Sequence, residues 1–588
     1  MDHLHNRWDL AALVEATAEP LIRPLKDLDQ ALATLEALRS SLSPDISGND
    51  FLRVLAAYEA MVTVARRIGA YVYLQFAEDT QNETALSEQN RVNQIVADAE
   101  NRALFFEHWF KSLSEETATR LTAASGDRRY FLDSWRRLKP FTLSEAEERI
   151  ITLKDVNGIE AMMTLYDMIT SAFSFQLERD GQLKTLTQPQ LSALVRDPSA
   201  EVRAAAYREL YRVYVENRAV LAQIYNCRVR DWHAEVVELR HFSEPIAARN
   251  TVNDIPDQVV QTLLDVCRQN VGCFQRYFRT KARWLHQDTL CRYDIYAPFA
   301  PSEKRFTLQE ALDTVLDSFR GFAPTMEGQA RRVLMANHLD AQPRQNKRSG
   351  AFCYSALPEL TPWVLANFTG SSRDVATLAH ELGHAVHAMM AEGHSALTYD
   401  AGAPLSETAS VFGEMLLSQR LLAQASDGAA RGEILAAMLD DAFATVQRQA
   451  YFTLFERDAH RLVAEGATVE DLTVHYRANL TEQFGDAVEV SDEFRWEWLL
   501  IPHFYHTPFY TYAYAFGQLL VMALFQRYRL EGESFVLKYL KILSAGGAAS
   551  PATILAEAGI DVASAAFWQG GFDLIATWID QLEGLDVG

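Results

Sequence analysis

Apolar residues recur every three or four positions through most of this chain, in runs rich in Ala, Leu, Glu and Arg with little Pro or Gly between them, and that period predicts helix. Residues 28–125 read as successive long helices, among them 52–76 and a polar-faced stretch at 84–113, for which a helical hairpin acting as a lid or wall is the simplest packing. The pattern breaks at Leu138-Lys139-Pro140-Phe141, after which Ser144 suits the cap of a new helix. The period then shortens to two: Phe173-Ser174-Phe175-Gln176-Leu177 and Gln182-Leu183-Lys184-Thr185-Leu186-Thr187 flank Asp180-Gly181, a β-hairpin signal. Asp197-Pro198-Ser199 restarts helix. A further short apolar run, Trp363-Val364-Leu365-Ala366-Asn367-Phe368 between Pro362 and Gly370, reads as a strand. Its position suggests a sheet edge with which an extended peptide would pair through backbone groups, a buried core strand being the alternative. The fold is therefore expected to be mainly α. Taken in chain order it divides into an N-terminal helical region (1–125), a helical linker region with the hairpin (126–190) and the remainder (191–588). No short repeat, low-complexity tract or Pro/Gly/Ser-rich linker interrupts it.

Composition narrows the field without choosing a function. A chain of 588 residues exceeds what one core usually holds. Its 55 basic and 78 acidic residues leave a formal charge of −23, which argues against a nucleic-acid partner and makes basic or neutral ligands the easier expectation. Solubility is the simpler account of the acidity. Five cysteines, Cys227, Cys267, Cys273, Cys291 and Cys353, are odd in number and lack CxxC spacing, so neither a disulfide framework nor a Cys-based zinc site is expected, and a reducing compartment follows. Met1–Asp9 has no basic region followed by an apolar one, and no window approaches 18 uninterrupted apolar residues. A soluble, unexported, cytoplasmic protein with no membrane partner is the expectation.

The chemistry sits in His380-Glu381-Leu382-Gly383-His384. Residues four apart share a helix face, so His380 and His384 can address one ion while Glu381 stands beside it as a carboxylate base. Catalytic zinc commonly takes three protein ligands and keeps a fourth position open. The metzincin pattern fails, because His387 and Met390 stand where Gly and His belong, and a thermolysin-like spacing falls on Pro404. The next acid in a helical context is Glu407, which follows the helix-start signal Asp400-Ala401-Gly402-Ala403-Pro404 and is expected to begin a second helix. Glu414, nearly two turns on, shares its face and would hold a ligand imidazole from behind. One Zn²⁺ per chain, on His380, His384 and Glu407, is thus expected.

Together with Asn367-Phe368-Thr369-Gly370-Ser371-Ser372-Arg373-Asp374 and Glu407-Thr408-Ala409-Ser410-Val411-Phe412-Gly413-Glu414, the motif resembles the oligoendopeptidase F branch of the thimet-oligopeptidase-like metallopeptidases. Ala77-Glu78-Asp79-Thr80-Gln81-Asn82 resembles that branch's first domain. Ile501-Pro502-His503-Phe504-Tyr505 and Tyr510-Thr511-Tyr512-Ala513-Tyr514 resemble its substrate loop. The resemblance implies an elongated, multi-helix zincin-type fold with a small β-sheet near the active site, an enclosed substrate channel and a catalytic domain over 191–588. It also implies a zinc endopeptidase acting on short unfolded oligopeptides, in which Glu381 assists attack by zinc-bound water. His503, Tyr510 and Tyr514 would contact substrate and stabilise the oxyanion, with His506 the alternative to His503 because His506-Thr507-Pro508 interrupts the loop. Two rivals remain at this point: an exopeptidase releasing dipeptides, and a noncatalytic peptide-binding protein, against which the intact Glu381 argues.

Overall fold

The computed structural model describes residues 7–17, 19–179, 181–299, 305–425 and 427–585; of the positions singled out above, Asp180 and the first six residues lie outside that set. The architecture is mainly helical, with three small sheets among the described residues. The helical-period stretches fold as their pattern requires. Residues 52–76 fall inside the helix Gly48–Glu78, capped by the Ser47 hydroxyl, and 84–113 overlap the helix Glu83–Ser112, capped by Asn82. The two form a hairpin across a tight turn in which Asn82 N–H donates to Asp79 O. Leu28, Leu32 and Leu35 of the helix Ile22–Ala37 join Phe51, Val54, Phe106 and Phe110 in one core, where Phe51 stacks on Phe110 at 5.9 Å. Burying each such side chain contributes about 1.5–3 kcal/mol.

The described residues gather into two compact units, each drawn from three stretches of chain: one from within 1–139, 304–420 and 527–560, the other from within 140–303, 421–526 and 561–588. The first unit holds the helical hairpin, a three-stranded sheet and the helix carrying His380 and His384. Sheet order is Leu339–Asp340, Trp363–Leu365, Phe352–Tyr354, parallel in the first pair and antiparallel in the second. The run from Trp363 is therefore the central strand, and the edge expected there is instead Phe352–Tyr354.

The reason is visible in the run itself. An unbroken apolar stretch buried on both faces marks an interior strand, whereas a half-exposed edge alternates. Trp363, Val364 and Leu365 are each 0% exposed, and Ala366 is buried too. The Trp363 indole stacks on His338, and its N–H donates to Asp9 O at 2.7 Å. Val364, Ala366 and Phe368 donate their N–H groups to His338 O, Asp340 O and Ala341 O. The Asn367 amide donates to Arg348 O and Gly350 O, and Lys347 Nζ donates to Ala366 O and to the Asp340 carboxylate. Residues Trp363, Val364, Leu365, Ala366, Asn367 and Phe368 thus shape the sheet and leave no unpaired edge for a peptide.

In the second unit the hairpin forms as expected, Phe175–Arg179 pairing antiparallel with Gln182–Leu186, and Gly181 has φ +71° as a tight turn requires. Ser199 caps the helix Ala200–Glu216. Arg292 and Arg448 converge on the buried Glu497, which also accepts from the Tyr476 hydroxyl. Burial opposes that carboxylate's charge, yet the two guanidiniums hold its pKa below the usual range. This charge cluster fixes the segment Asp492–Leu500, which leads directly into Pro502 and His503.

Candidate active site

The motif helix, Ser372–Met390, begins where Ser371 and Asp374 form a reciprocal capping box. The Asp374 carboxylate also accepts from the backbone and hydroxyl of Thr369, so the turn ahead of the helix is fixed before the first ligand is reached. His380 and His384 lie on one face, as the four-residue spacing predicts, and their Nε2 atoms stand 3.1 Å apart. Glu407 completes the group: its Oε2 is 3.4 Å from each of those nitrogens. It does not open the second helix, as the sequence suggested; it occupies the turn between a short helix at Ala403–Ser406, started by Pro404, and the longer helix Thr408–Gln424. The Ser410 hydroxyl donates to Glu407 Oε2 at 2.7 Å, orienting that carboxylate.

These donors suit zinc. His380, His384 and Glu407 offer two imidazole nitrogens and one carboxylate oxygen within 4.8 Å of one another, a ligand set of the kind zinc uses when it keeps a position open. Glu414 Oε1 lies 2.6 Å from His380 Nδ1, a contact that orients the ring so that Nε2 faces the other two ligand groups. Among the site's own groups, burial presses the His380 imidazole down, and the carboxylates, Glu414 foremost, more than reverse this and push it up to about 9. Burial pushes His384 down to about 4, Glu407 opposing and His380 reinforcing. His387 is likewise pushed down to about 4 by burial, which keeps it neutral.

Two glycines set the spacing of these ligands. A Cβ on Gly383 would lie 2.6 Å from Ala409 O and from Ser410 Cα, while one on Gly413 would lie 3.1 Å from Ala379 O and 3.0 Å from the Phe319 ring. The motif helix and its companion therefore press together backbone to backbone at reciprocal notches on either side of the ligand group. Tyr539 backs the companion helix, its hydroxyl donating to Thr408 O and its ring stacking on Phe412 at 4.1 Å.

Glu381 is 7% exposed and lines a cavity of about 400 Å³ shared with His380, His384, Phe352, Cys353 and Tyr399. Burial, with Glu407 and Glu414 adding to it against His380, pushes its carboxyl up to about 7. The edge strand reaches the same cavity. Because Val364 and Ala366 point their N–H groups at the parallel neighbour, Trp363 and Leu365 turn theirs toward Tyr354 and Phe352, their partners in register. Cys353 is then the residue whose N–H and C=O face outward, and its N–H acts to lower the Glu381 carboxyl's pKa against the effect of burial. Sequence reading passed over Cys353, although Phe352-Cys353-Tyr354 just after Gly350 is itself a short strand signal.

In the second unit, His503, Tyr510 and Tyr514 come together. His503 Nε2 and the Tyr514 hydroxyl are 3.2 Å apart. The Tyr510 ring lies parallel to His503, with centroids 6.1 Å apart, and edge-on to Tyr514 at 5.2 Å. His506 is turned away, its Nε2 2.9 Å from Asp167 Oδ1, so the two histidines have separate settings. Tyr505 and Tyr512 belong to the core: each is 0% exposed, Tyr505 donating to Leu499 O and Tyr512 accepting from Asn253.

The chain matches known proteins over most of its length. Residues 193–574 match peptidase family M3, and residues 109–175 match the family described as Oligopeptidase F. Group B oligopeptidase PepB of Streptococcus agalactiae is 26% identical over 98% of this chain and 97% of its own length. Oligopeptidase PepF of Bacillus subtilis is 26% identical over 90% of this chain and 81% of its own. In fold, the chain is similar to a solved structure from Chlamydophila abortus (TM-score 0.90, 24% identity, 99% of each chain). It is also similar to oligoendopeptidase-F from Enterococcus faecium (TM-score 0.70, 22% identity, covering 96% of this chain and 98% of the other).

Proposed function

Because the chain belongs to peptidase family M3, we propose that it hydrolyses internal bonds of short, unfolded oligopeptides, with His380, His384 and Glu407 as ligands of one zinc ion and Glu381 as the general base. The observation that carries this reading is a two-imidazole, one-carboxylate donor set whose imidazoles share a cavity with a buried carboxyl and a strand edge. When bound, zinc supplies Lewis acidity, polarising a carbonyl and making water a nucleophile at neutral pH. Glu381 takes a proton from the attacking water and returns it to the leaving amine, a role worth roughly 10²- to 10⁴-fold. Glu414 keeps the His380 ring oriented through Nδ1, and Ser410 holds Glu407. The outward C=O of Cys353 would accept from the backbone of an extended peptide, which orients the bond to be cut with little demand on side chains.

His503, Tyr510 and Tyr514 are the donors we assign to the developing oxyanion, an assignment supported by the resemblance of their loop and by their clustering. Tyr514→Phe is expected to lower kcat by at least tenfold while KM moves less than about threefold, since the hydroxyl acts on charge that exists only in the transition state. Steady-state kinetics on a quenched peptide measures both, and an unchanged kcat removes Tyr514 from the reaction.

The reading as a whole is tested with a fluorescent peptide blocked at both ends. Internal cleavage that stops with a chelator and returns with zinc is the expected outcome. A blocked peptide left intact while free-ended peptides lose dipeptides would replace the endopeptidase reading with an exopeptidase one.

A further inference from the structure

Behind the turn that carries Tyr510 lies an arginine that no motif pointed to. Arg249 stands half-buried on the short helix Ala247–Asn253. Among the described residues no carboxylate lies within ion-pair distance of it, although a guanidinium withdrawn from water is ordinarily paired. Burial presses its pKa down, while Tyr512, Glu456 and Tyr510 act in the opposite direction. Its contacts are with the loop instead. Arg249 Nε donates to the Pro508 carbonyl at 3.2 Å, and its guanidinium carbon sits 6.0 Å from the centroid of the Tyr510 ring.

The Pro508 carbonyl belongs to the peptide plane that enters Phe509, and Phe509 has φ +58°, a region few bulky residues adopt. Such a backbone persists only where its surroundings over-determine it, and positions of this kind cluster at functional sites. Arg249 fixes the near side of the turn. On the far side the Thr511 and Thr453 hydroxyls bond at 2.8 Å, both buried. The Tyr510 ring thus has the Arg249 guanidinium against it, lies parallel to His503 and stands edge-on to Tyr514.

We propose that Arg249 is a positioning residue for peptide hydrolysis, holding the Pro508–Tyr510 turn in its strained form so that the Tyr510 hydroxyl is aimed at the oxyanion. The planar guanidinium can bond a carbonyl and lie against an aromatic ring at the same time. The proposal rests on the reading of Tyr510 as such a donor.

A double-mutant cycle on the zinc-loaded full chain tests it, using Arg249→Met, Arg249→Lys, Tyr510→Phe and the Arg249→Met/Tyr510→Phe pair. Metal content and unfolding midpoint are recorded for each. Arg249→Met is expected to lower kcat roughly tenfold to a hundredfold with KM within about threefold, and to change kcat less than about threefold once Tyr510 is already Phe. Arg249→Lys, which keeps the charge but loses the flat fork, is expected to fall between the parent and Arg249→Met, and it serves as the test if the Met variant does not fold. Full kcat in either variant of Arg249 beside an impaired Tyr510→Phe overturns the proposal alone, as does an equal loss in both backgrounds. Full kcat in Tyr510→Phe overturns the reading of Tyr510, and this proposal with it.

Discussion

Glu381→Gln is expected to fold, to bind zinc in the same ratio as the parent and to lose roughly 10²- to 10⁴-fold in kcat. Glu381 is outside the group of three donors that face one another, so its loss leaves the ligand set intact. Glutamine matches its shape and carries no charge, which suits so buried a position. What it cannot do is take a proton from water. Metal analysis and thermal unfolding on the variant, alongside kcat on the blocked peptide, separate the outcomes. Activity within about tenfold of the parent would sink the assignment of the base, and loss of metal would recast Glu381 as a residue that builds the site.

The second large effect falls on a residue with no side chain. Gly383→Ala places a Cβ 2.6 Å from Ala409 O and Ser410 Cα, both backbone atoms that cannot rotate away, so the two helices must part. Glu407 and Ser410 move with the companion helix while His380 and His384 stay with their own. Zinc affinity is expected to fall roughly tenfold to a hundredfold, the range seen when groups that orient metal ligands are disturbed, and overpacking is expected to cost about 1–3 kcal/mol. Gly393→Ala is the matched control, since nothing lies within 4 Å of the Cβ it would gain. Competition with a graded chelator measures the affinity. Parent-like zinc binding by Gly383→Ala would mean that the helix contact does not set the ligand spacing.

Helical periodicity and capping residues made most of the long elements legible, because both act over a few neighbouring positions: Ser47, Asn82 and Ser199 cap helices that the apolar period already announced. The donor group was legible for the same reason, His380 and His384 being one turn apart on one helix. Glu407 needed a longer step, and its carboxylate was found while its backbone lies one residue ahead of the helix it was expected to open. The central strand was misread because an apolar run announces burial but not which neighbour lies on each side; that depends on Leu339–Asp340 and Phe352–Tyr354, which are brought to it by tertiary packing. Gly383, Gly413 and Arg249 gave no local signal at all. A glycine within a helix reads as a weak helix former until the facing backbone is known, and Arg249 reads as a solvated charge until Pro508, 259 residues further along, is seen against it.

The outward-facing backbone of the edge strand comes down to one residue, Cys353, since its neighbours Phe352 and Tyr354 spend their N–H and C=O groups on Leu365 and Trp363. A peptide read through so short an edge would be tolerant of backbone alteration along most of its length and intolerant at a single place. In a series of otherwise identical peptides, each carrying one N-methylated amide, a single member should therefore resist cleavage while still filling the cleft, and that member is a ready starting point for a competitive inhibitor. Uniform cleavage across the series would show that Cys353 does not set the register of the substrate.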